Sequence, residues 1–570
     1  MEKISSKIIR KKNTKDFLFE VSWEICNKFG GIYTVISSKL NAIKKYYSNY
    51  YAIGPYKNSN PEFLEFETIP KEFEKAFLEL KNLGIILHFG EWKINKNTKT
   101  ILIEYLGYSK NINLVKSRIW ELYKIDSLNT SWFDWEEPIL WSWCIGIAIE
   151  KLSKNINLDS NILVHVHEWL SGGTILYLKS LENKIRFNTI FTTHATMLGR
   201  ALCGNSYDLY ELEKKTDLNP EDEAYGVGVA TKHQTERVLA NISDCFTTVS
   251  DLTGKETEIF YKKKPDKILY NGFDNSNLQD IEKINLDFEK SREETNRFLE
   301  SYFNNFYNLN LNNTQILYTS GRYEFKNKGL DLFIDSLSKL NKDLIKEDSK
   351  KEIIVFFLIM IGEYNISSQI SDSIKNYNNG IKNNNLGIIY APVSTHEVPT
   401  DNLIINEFIK KDLLNKKEDK VKVILIPTIL DGKKNVFNKE YYQMIRGLDL
   451  GVFPSYYEPW GYTPLETLSY ATPTITSDLA GFGRYCNNLN SKFNFIDILK
   501  REGRNFEETS SELNKVLYNF TKKDQKELMQ DRIESKNFSL KFDWEIFIKN
   551  YLECYDIALR KNNNNFNKNN

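Results

Sequence analysis

Four clusters of polar residues are spaced for chemistry in this 570-residue chain. Lys28-Phe29-Gly30-Gly31 precedes an amphipathic run. Paired glycines let the backbone approach an anion, and the amides opening a helix favour negative charge. A plain tight turn reads the same way. His165-Val166-His167-Glu168-Trp169 comes next, followed by Thr193-His194 and Arg200. The H-x-H-E string invites a metal reading. Alternation along a strand is taken to turn the two histidines to opposite faces, which argues against one shared ion. His194, at a strand end and ahead of Arg200, is better placed to face a ligand; a structural histidine is the plain alternative.

The third cluster, Gly321-Arg322-Tyr323-Glu324-Phe325-Lys326-Asn327-Lys328-Gly329, sets Arg322 and Lys328 six residues apart ahead of a helix. Two cations and a helix N-terminus can neutralise a diphosphate leaving group; a solvated basic loop is the alternative. The fourth runs from Tyr456 to Glu466 through a Pro/Gly/aromatic loop, with Pro464 suited to the first turn of a helix. One of the two carboxylates, Glu458 or Glu466, can then hydrogen-bond a bound sugar and the other a ribose.

These clusters need elements to hold them. Phe17–Ser22, Ile162–Val166, Thr189–Thr193 and Cys245–Val249 are short apolar runs, each followed by a loop and a helix-like stretch. Strands apolar on both faces belong to parallel sheets, and the alternation reads as α/β. Ile316–Ser320, Ile353–Met360, Val421–Ile426 and Leu450–Pro454 repeat the grammar. Two doubly wound domains in tandem are expected. Turn signals place the boundary near Asn271–Gly272, giving domains at 1–272 and 273–535, a terminal helix at 536–560 packing back on the first domain, and a disordered Asn/Lys tail at 561–570. Asp287 to Asn308 reads as a charged helix, and Tyr364 to Asn402 as largely loops.

Composition bounds the function. Lys+Arg and Asp+Glu are both 76, so the net charge is zero; a generic nucleic-acid binder is not expected. Six cysteines without C-x-x-C pairs fit reduced thiols in a cytoplasmic protein. The polar, basic N-terminus lacks an apolar signal core, and no apolar run is long enough to span a bilayer.

The strings FEVSWEICNKFGGIYTV, HVHEW, TTHATMLGR, FTTVS, GRYEFKNKG and FPSYYEPWGYTPLE together resemble eukaryotic-type glycogen synthase, glycosyltransferase family 3, in the family's order over roughly residues 17 to 560. The resemblance implies a GT-B fold, two Rossmann-like domains facing across a cleft. It implies retaining transfer of glucose from UDP-glucose to the non-reducing 4-hydroxyl of an α-1,4-glucan (glycogen or a maltodextrin), with no metal or other cofactor. Residue by residue, it implies that Arg322 and Lys328 bind the diphosphate, with Arg200 assisting from the other domain. Gly31 would bring its backbone to the phosphates, with Lys28 nearby. Glu458 would bind donor hydroxyls, Glu466 the ribose, and Tyr441 the uracil. Trp460, Gly461, Tyr462 and Thr463 would offer backbone amides to the phosphates, and the carbonyl of His194 would stabilise positive charge at the anomeric carbon. An oxocarbenium-like transition state asks for cations on the phosphate side and acceptors on the sugar side. With no obvious second carboxylate placed as nucleophile, front-face attack within an ion pair is favoured.

The sequence also departs from the family. Members carry an arginine-rich helix for the activator glucose 6-phosphate, whereas Gln525 to Asp543 holds a single arginine, Arg532. One cation is a poor phosphate site, so weak or absent activation is expected. The stretch Tyr364 to Lys420 is shorter than the family's insertion used in tetramer contacts, which leaves a homo-oligomer open, and the chain stops soon after Asp543-Trp544, without a phosphorylated tail. An ADP-glucose-dependent relative and a non-catalytic glucan-binding protein are the competing readings.

Overall fold

The computed structural model describes residues 13–569 except 29, 58–60, 157–158, 183–184, 206, 208, 213, 215–217, 276–282, 383–389, 433–435, 438 and 490. Most of the basic N-terminus, Phe29, and 383–389 within the Asn-rich segment therefore lie outside the described residues.

The chain divides into two compact units. The first holds residues 1–205, 211–274 and 542–570; the second holds 206–210 and 275–541. The first unit is built on a nine-stranded sheet: β1 (Asn13–Val21), β2 (Tyr47–Pro55), β3 (Phe63–Glu65), β4 (Ile86–Trp92), β5 (Lys99–Glu104), β6 (Ile162–His167), β7 (Phe187–Thr193), β8 (Cys245–Thr248) and β9 (Lys267–Ile268). Their order is β3-β4-β5-β2-β1-β6-β7-β8-β9. It is parallel except at the edge where β4 runs against β3 and β5.

The second unit holds β10 (Thr314–Arg322), β11 (Glu352–Met360), β12 (Val421–Ile426), β13 (Leu450–Phe453), β14 (Thr474–Ser477) and β15 (Ile496–Leu499). Their order is β12-β11-β10-β13-β14-β15, parallel throughout. Strand β11 shows why. Ile353, Val355, Phe357 and Ile359 join one buried cluster, and Ile354, Phe356 and Leu358 the other. Both faces are covered, as a parallel sheet flanked by crossover helices requires.

Apart from the short excursion at 206–210, the chain crosses between units at 274/275 and again at 541/542. The second crossing falls later than the expected 535/536. The helix Gln525–Ser539 stays in the second unit because Arg532 and Lys536 are buried there: Arg532 donates to Asp449 Oδ1 at 2.9 Å and Lys536 to the Ser469 carbonyl at 3.1 Å. The final helix, Trp544–Asn569, then packs on the first unit. The Trp544 indole donates to Ser38 at 2.7 Å. The helical backbone continues through 561–569, where composition suggests a disordered tail, because extending a nucleated helix adds one hydrogen bond per residue. The loop-like segment from Tyr364 likewise contains a helix, Ser368–Asn378.

Candidate active site

In open α/β sheets, ligands sit beyond the carboxyl ends of the strands, and the four clusters are found there. In the first unit, β6 ends at His167 and β7 at Thr193. Between β6 and the next helical turn, Glu168 adopts φ 64°. A non-glycine residue at positive φ is strained, and here the bend returns the carboxylate toward β7. Glu168 Oε1 accepts from the amides of His194 at 2.7 Å and Ala195 at 3.2 Å. Burial pushes this carboxyl up to about 7, against the lowering effect of Arg200 and the two amides. Buried Glu236 is also raised, by burial and then by the charge of Glu168; it accepts from the Met197 amide at 3.0 Å. Thr196 caps the helix Met197–Gly204 that carries Arg200, accepting from the Gly199 amide at 3.1 Å.

The histidines are arranged differently from expectation. His165 and His167 share one face of β6, with ring centroids 4.3 Å apart. The period of a strand is two, so residues i and i+2 point the same way; the expectation of opposite faces is wrong. Glu20, paired with His165 across β1 and β6, completes a three-group cluster. The donor set does not suit a cation. Glu20 accepts from the ammonium of Lys39, from Tyr50 Oη at 2.6 Å and from His167 Nε2 at 2.8 Å. His165 is held by Thr192 at 2.7 Å and Tyr555 at 3.1 Å. The ammonium already supplies the positive charge, and the imidazole nitrogens are committed to hydrogen bonds.

The Lys28–Gly31 turn opens the helix Gly31–Ile43. A carboxylate already sits at this N-terminus: Glu24 Oε2 accepts from the amides of Gly30 at 2.9 Å and Tyr33 at 2.8 Å. Lys28 is exposed, its ammonium 5.9 Å from the centre of the Tyr33 ring.

In the second unit, Arg322 ends β10, half exposed and 2.7 Å from Glu324. The following turn brings Lys328 back beneath the strand end, where it pairs with Glu458. Two features hold that pair. The Asn327 carbonyl accepts from the amides of Tyr456 at 2.8 Å and Tyr457 at 3.1 Å, stitching the two loops together. Gly329 sits at φ 66°, and a Cβ there would lie 2.1 Å from the Pro454 carbonyl oxygen, so only glycine allows this approach. Arg501 donates to the same carbonyl at 2.5 Å.

Gly461, at φ 99°, turns the chain into the helix Tyr462–Ser469. The amides of Tyr462 and Thr463 thus open a helix, where intrahelical partners are lacking. Trp460 is buried against Phe482 and Tyr485, so its indole serves the core while its backbone lies in the loop. Glu466, buried, accepts from Tyr442 at 2.8 Å, and Tyr441 shares a hydrogen bond of 2.8 Å with Ser320.

The second unit therefore gathers Arg322, Lys328, Glu458, Tyr441, Glu466 and the 460–463 loop around the ends of β10 and β13. The first gathers His194, Arg200 and the Lys28–Gly31 turn around β1, β6 and β7. Sequence reasoning passed over Glu20, Lys39, Glu168 as a positioning group, Asn327 and Arg501. A glutamate inside the apolar run of β1 and a lysine inside the apolar face of the next helix were the available signal, since a buried charge needs a partner.

A family model described as glycogen synthase matches residues 20–385 and 380–570. The chain belongs to the glycogen synthase family. Among curated glycogen synthases, isoform 2 from Saccharomyces cerevisiae is 30% identical, over 95% of this chain and 86% of its own. The Dictyostelium discoideum enzyme is 31% identical over 97% and 68%, and the human liver enzyme 29% identical over 95% and 83%. Among solved structures, the catalytic domain of Arabidopsis thaliana starch synthase IV, bound to ADP and acarbose, superimposes with TM-score 0.54 at 13% identity, covering 96% of this chain and all of that one. A UDP-forming trehalose-phosphate synthase from Burkholderia xenovorans gives 0.53 at 10% identity, covering 95% and 100%. The fold is GT-B, with two Rossmann-like domains, and this glycogen synthase family member is a retaining glycosyltransferase.

Proposed function

We propose that the chain elongates an α-1,4-glucan by transferring glucose from UDP-glucose to a non-reducing 4-hydroxyl with retention. The observation that carries this reading is the Lys328–Glu458 pair, held at the end of β10 beside Arg322 and the helix opened by Gly461. As the bond from the anomeric carbon to the phosphate oxygen breaks, negative charge grows on UDP. Arg322, Lys328 and the amides of Tyr462 and Thr463 are suited to hold it. Glu458 is released toward a sugar hydroxyl as Lys328 turns to phosphate. Glu466 takes the ribose and Tyr441 the uracil. On the sugar side, the backbone carbonyl of His194 faces the developing positive charge, and Arg200 supports the diphosphate. Lys28 and Gly31 reach the phosphates only if the Glu24 carboxylate leaves the helix N-terminus. The acceptor oxygen bonds the anomeric carbon on the face UDP leaves, and its proton passes to the departing phosphate oxygen.

Glucose 6-phosphate activation is not expected. Arg532 and Lys536, the cations on the face of Gln525–Ser539 turned into the fold, are consumed by Asp449 and by backbone carbonyls. A cytoplasmic setting is supported by six buried cysteines, none in a disulfide; among the described residues no helix is long and apolar enough to cross a membrane.

The test is incorporation of labelled glucose from UDP-glucose into glycogen, with and without glucose 6-phosphate. Incorporation that the sugar phosphate leaves unchanged supports both statements. Incorporation from ADP-glucose alone overturns the donor assignment, and strong stimulation overturns the regulatory one.

A further inference from the structure

A one-way hydrogen-bond relay runs through the core of the first domain and ends at His194. Glu20, Lys39, His165 and His167 are at most 1% exposed, and His194 is 9% exposed. Burial by itself would raise the Glu20 carboxyl, but Lys39 and His167 outweigh it and hold Glu20 well below the ordinary range. Glu20 is thus a carboxylate, which can only accept. His167 Nε2, 2.8 Å from Glu20 Oε1, must carry the hydrogen. Burial lowers the His167 imidazole, which keeps it neutral, so its Nδ1 is bare. His194 Nε2, 2.9 Å from that Nδ1, must then carry its own hydrogen and donate. Burial holds His194 well below its usual value, so it is neutral too, and its Nδ1 is left as an acceptor.

We propose that Glu20 and His167 are positioning residues that fix the tautomer and orientation of His194, presenting Nδ1 of His194 as a hydrogen-bond acceptor for a substrate hydroxyl. The proposal rests on the reading that His194 lies at the transferred sugar. Which nitrogen of an imidazole carries the proton is set by what the other nitrogen bonds, and here the chain of reasons begins at one buried carboxylate. Glu168 holds the backbone of the same residue through the His194 amide. Backbone and ring are therefore fixed by two different acidic side chains, Glu168 and Glu20. The far side of the network is sealed by the C-terminal helix: Tyr555 meets His165 at 3.1 Å, and the Lys39 ammonium lies 4.1 Å from the centre of the Tyr551 ring. That arrangement gives the return of residues 542–570 to the first unit a use beyond packing.

The test combines kinetics with ¹⁵N NMR of full-length protein labelled at the histidine rings, His194 being identified by the signal lost in His194→Gln. In the parent protein, His194 should show a protonated Nε2 and a bare Nδ1. His167→Leu removes the link and should leave His194 a mixture of tautomers. Its kcat should fall about a hundredfold, the scale of a misplaced contact, with KM for UDP-glucose moving far less. Should that variant fail to fold, Glu20→Met with Lys39→Met replaces the buried pair by apolar groups, a change often neutral for stability, and should give the same two readouts. A protonated Nδ1 on parental His194, an unmoved tautomer in the variants, or an unmoved kcat despite a scrambled tautomer each overturns the proposal. The NMR result does not depend on turnover, so an inactive parent would count against the functional reading while leaving the relay decided.

Discussion

The two domains use charge in opposite ways. Around His194 the first domain has sealed its polar groups: Glu20, Lys39 and His167 are inside, each with a partner, and the Lys39 and Glu20 charges are paired within the network. Around Lys328 the second domain leaves its cations reachable. The Arg322 side chain is 50% exposed, and Lys328 and Glu458 are 15% and 19% exposed. Under the proposed site assignment, the difference matches the two halves of a glycosyl transfer. The sugar side needs fixed acceptors that do not reorganise, and the phosphate side needs cations that can change partner when the dianion grows. Fixed groups belong in the core; exchangeable ones belong on loops braced from behind, as Asn327 and Gly329 brace Lys328.

The largest expected effect follows from the exchangeable side. Lys328→Ala and Arg322→Ala should each lower turnover by about a hundredfold to a thousandfold, the scale of losing one charge-stabilising donor. Melting temperatures should stay near that of the parent, because neither side chain is deeply buried. Steady-state rates with UDP-glucose check this, and near-normal rates in both would sink the leaving-group role. Arg532 offers the contrast within the same domain. It is 2% exposed, held by Asp449 and by the carbonyls of Leu448 and Ala471, and stacked 3.6 Å from the Phe288 ring centre. Arg532→Ala should cost about 3 kcal/mol of stability, the lower end for breaking a buried pair, because Arg292 still reaches Asp449 at 2.6 Å. Urea unfolding reads it; a loss of turnover without a loss of stability would make Arg532 a ligand residue instead.

What was legible in the sequence divides along the same line. The parallel sheets were readable because β11 and its neighbours are apolar on both faces, a pattern with no polar alternative. The loop cations and carboxylates were readable because Gly, Pro and charges cluster at strand ends. The sealed network was not. Glu20 sits in Phe17–Ser22 as a single charge in an apolar run, and only the fold shows that Lys39, nineteen residues on, is its partner. The histidine pair was misjudged by counting: a spacing of two along a strand means the same face. The return to the first unit at 541/542 was not legible, because nothing in Gln525–Ser539 announces that its cations point inward.

Gly329 tests whether the loops are braced as described. Gly329→Ala forces a Cβ against the Pro454 carbonyl at a positive φ. The loop must shift, and Lys328 with it. Turnover should fall on the order of tenfold or more through misplacement alone, with the Lys328 side chain chemically intact. Equal turnover in the variant would show that the position of the loop is not what sets the cation.

The smallest expected effect is a tilt and comes from the sealed side. Glu168 titrates near 7 in the folded protein, raised by burial, against an ordinary value of 4.5. Below pH 4.5 the carboxyl is protonated in folded and unfolded chains alike, and it costs nothing. Between 4.5 and 7 the unfolded chain releases the proton while the folded one retains it, so the unfolded state binds fewer protons and stability falls as pH rises. Above 7 the loss is complete and flat. Glu236, raised in the same direction and partly by Glu168 itself, adds to the slope. Glu168→Gln keeps a carbonyl for the His194 amide but removes the titration and relieves Glu236. Melting temperatures taken from pH 5 to 8 should decline more steeply in the parent than in the variant. Parallel curves would mean that Glu168 is ionised throughout, and that the strained turn carrying it holds His194 by geometry without any pH-dependent cost.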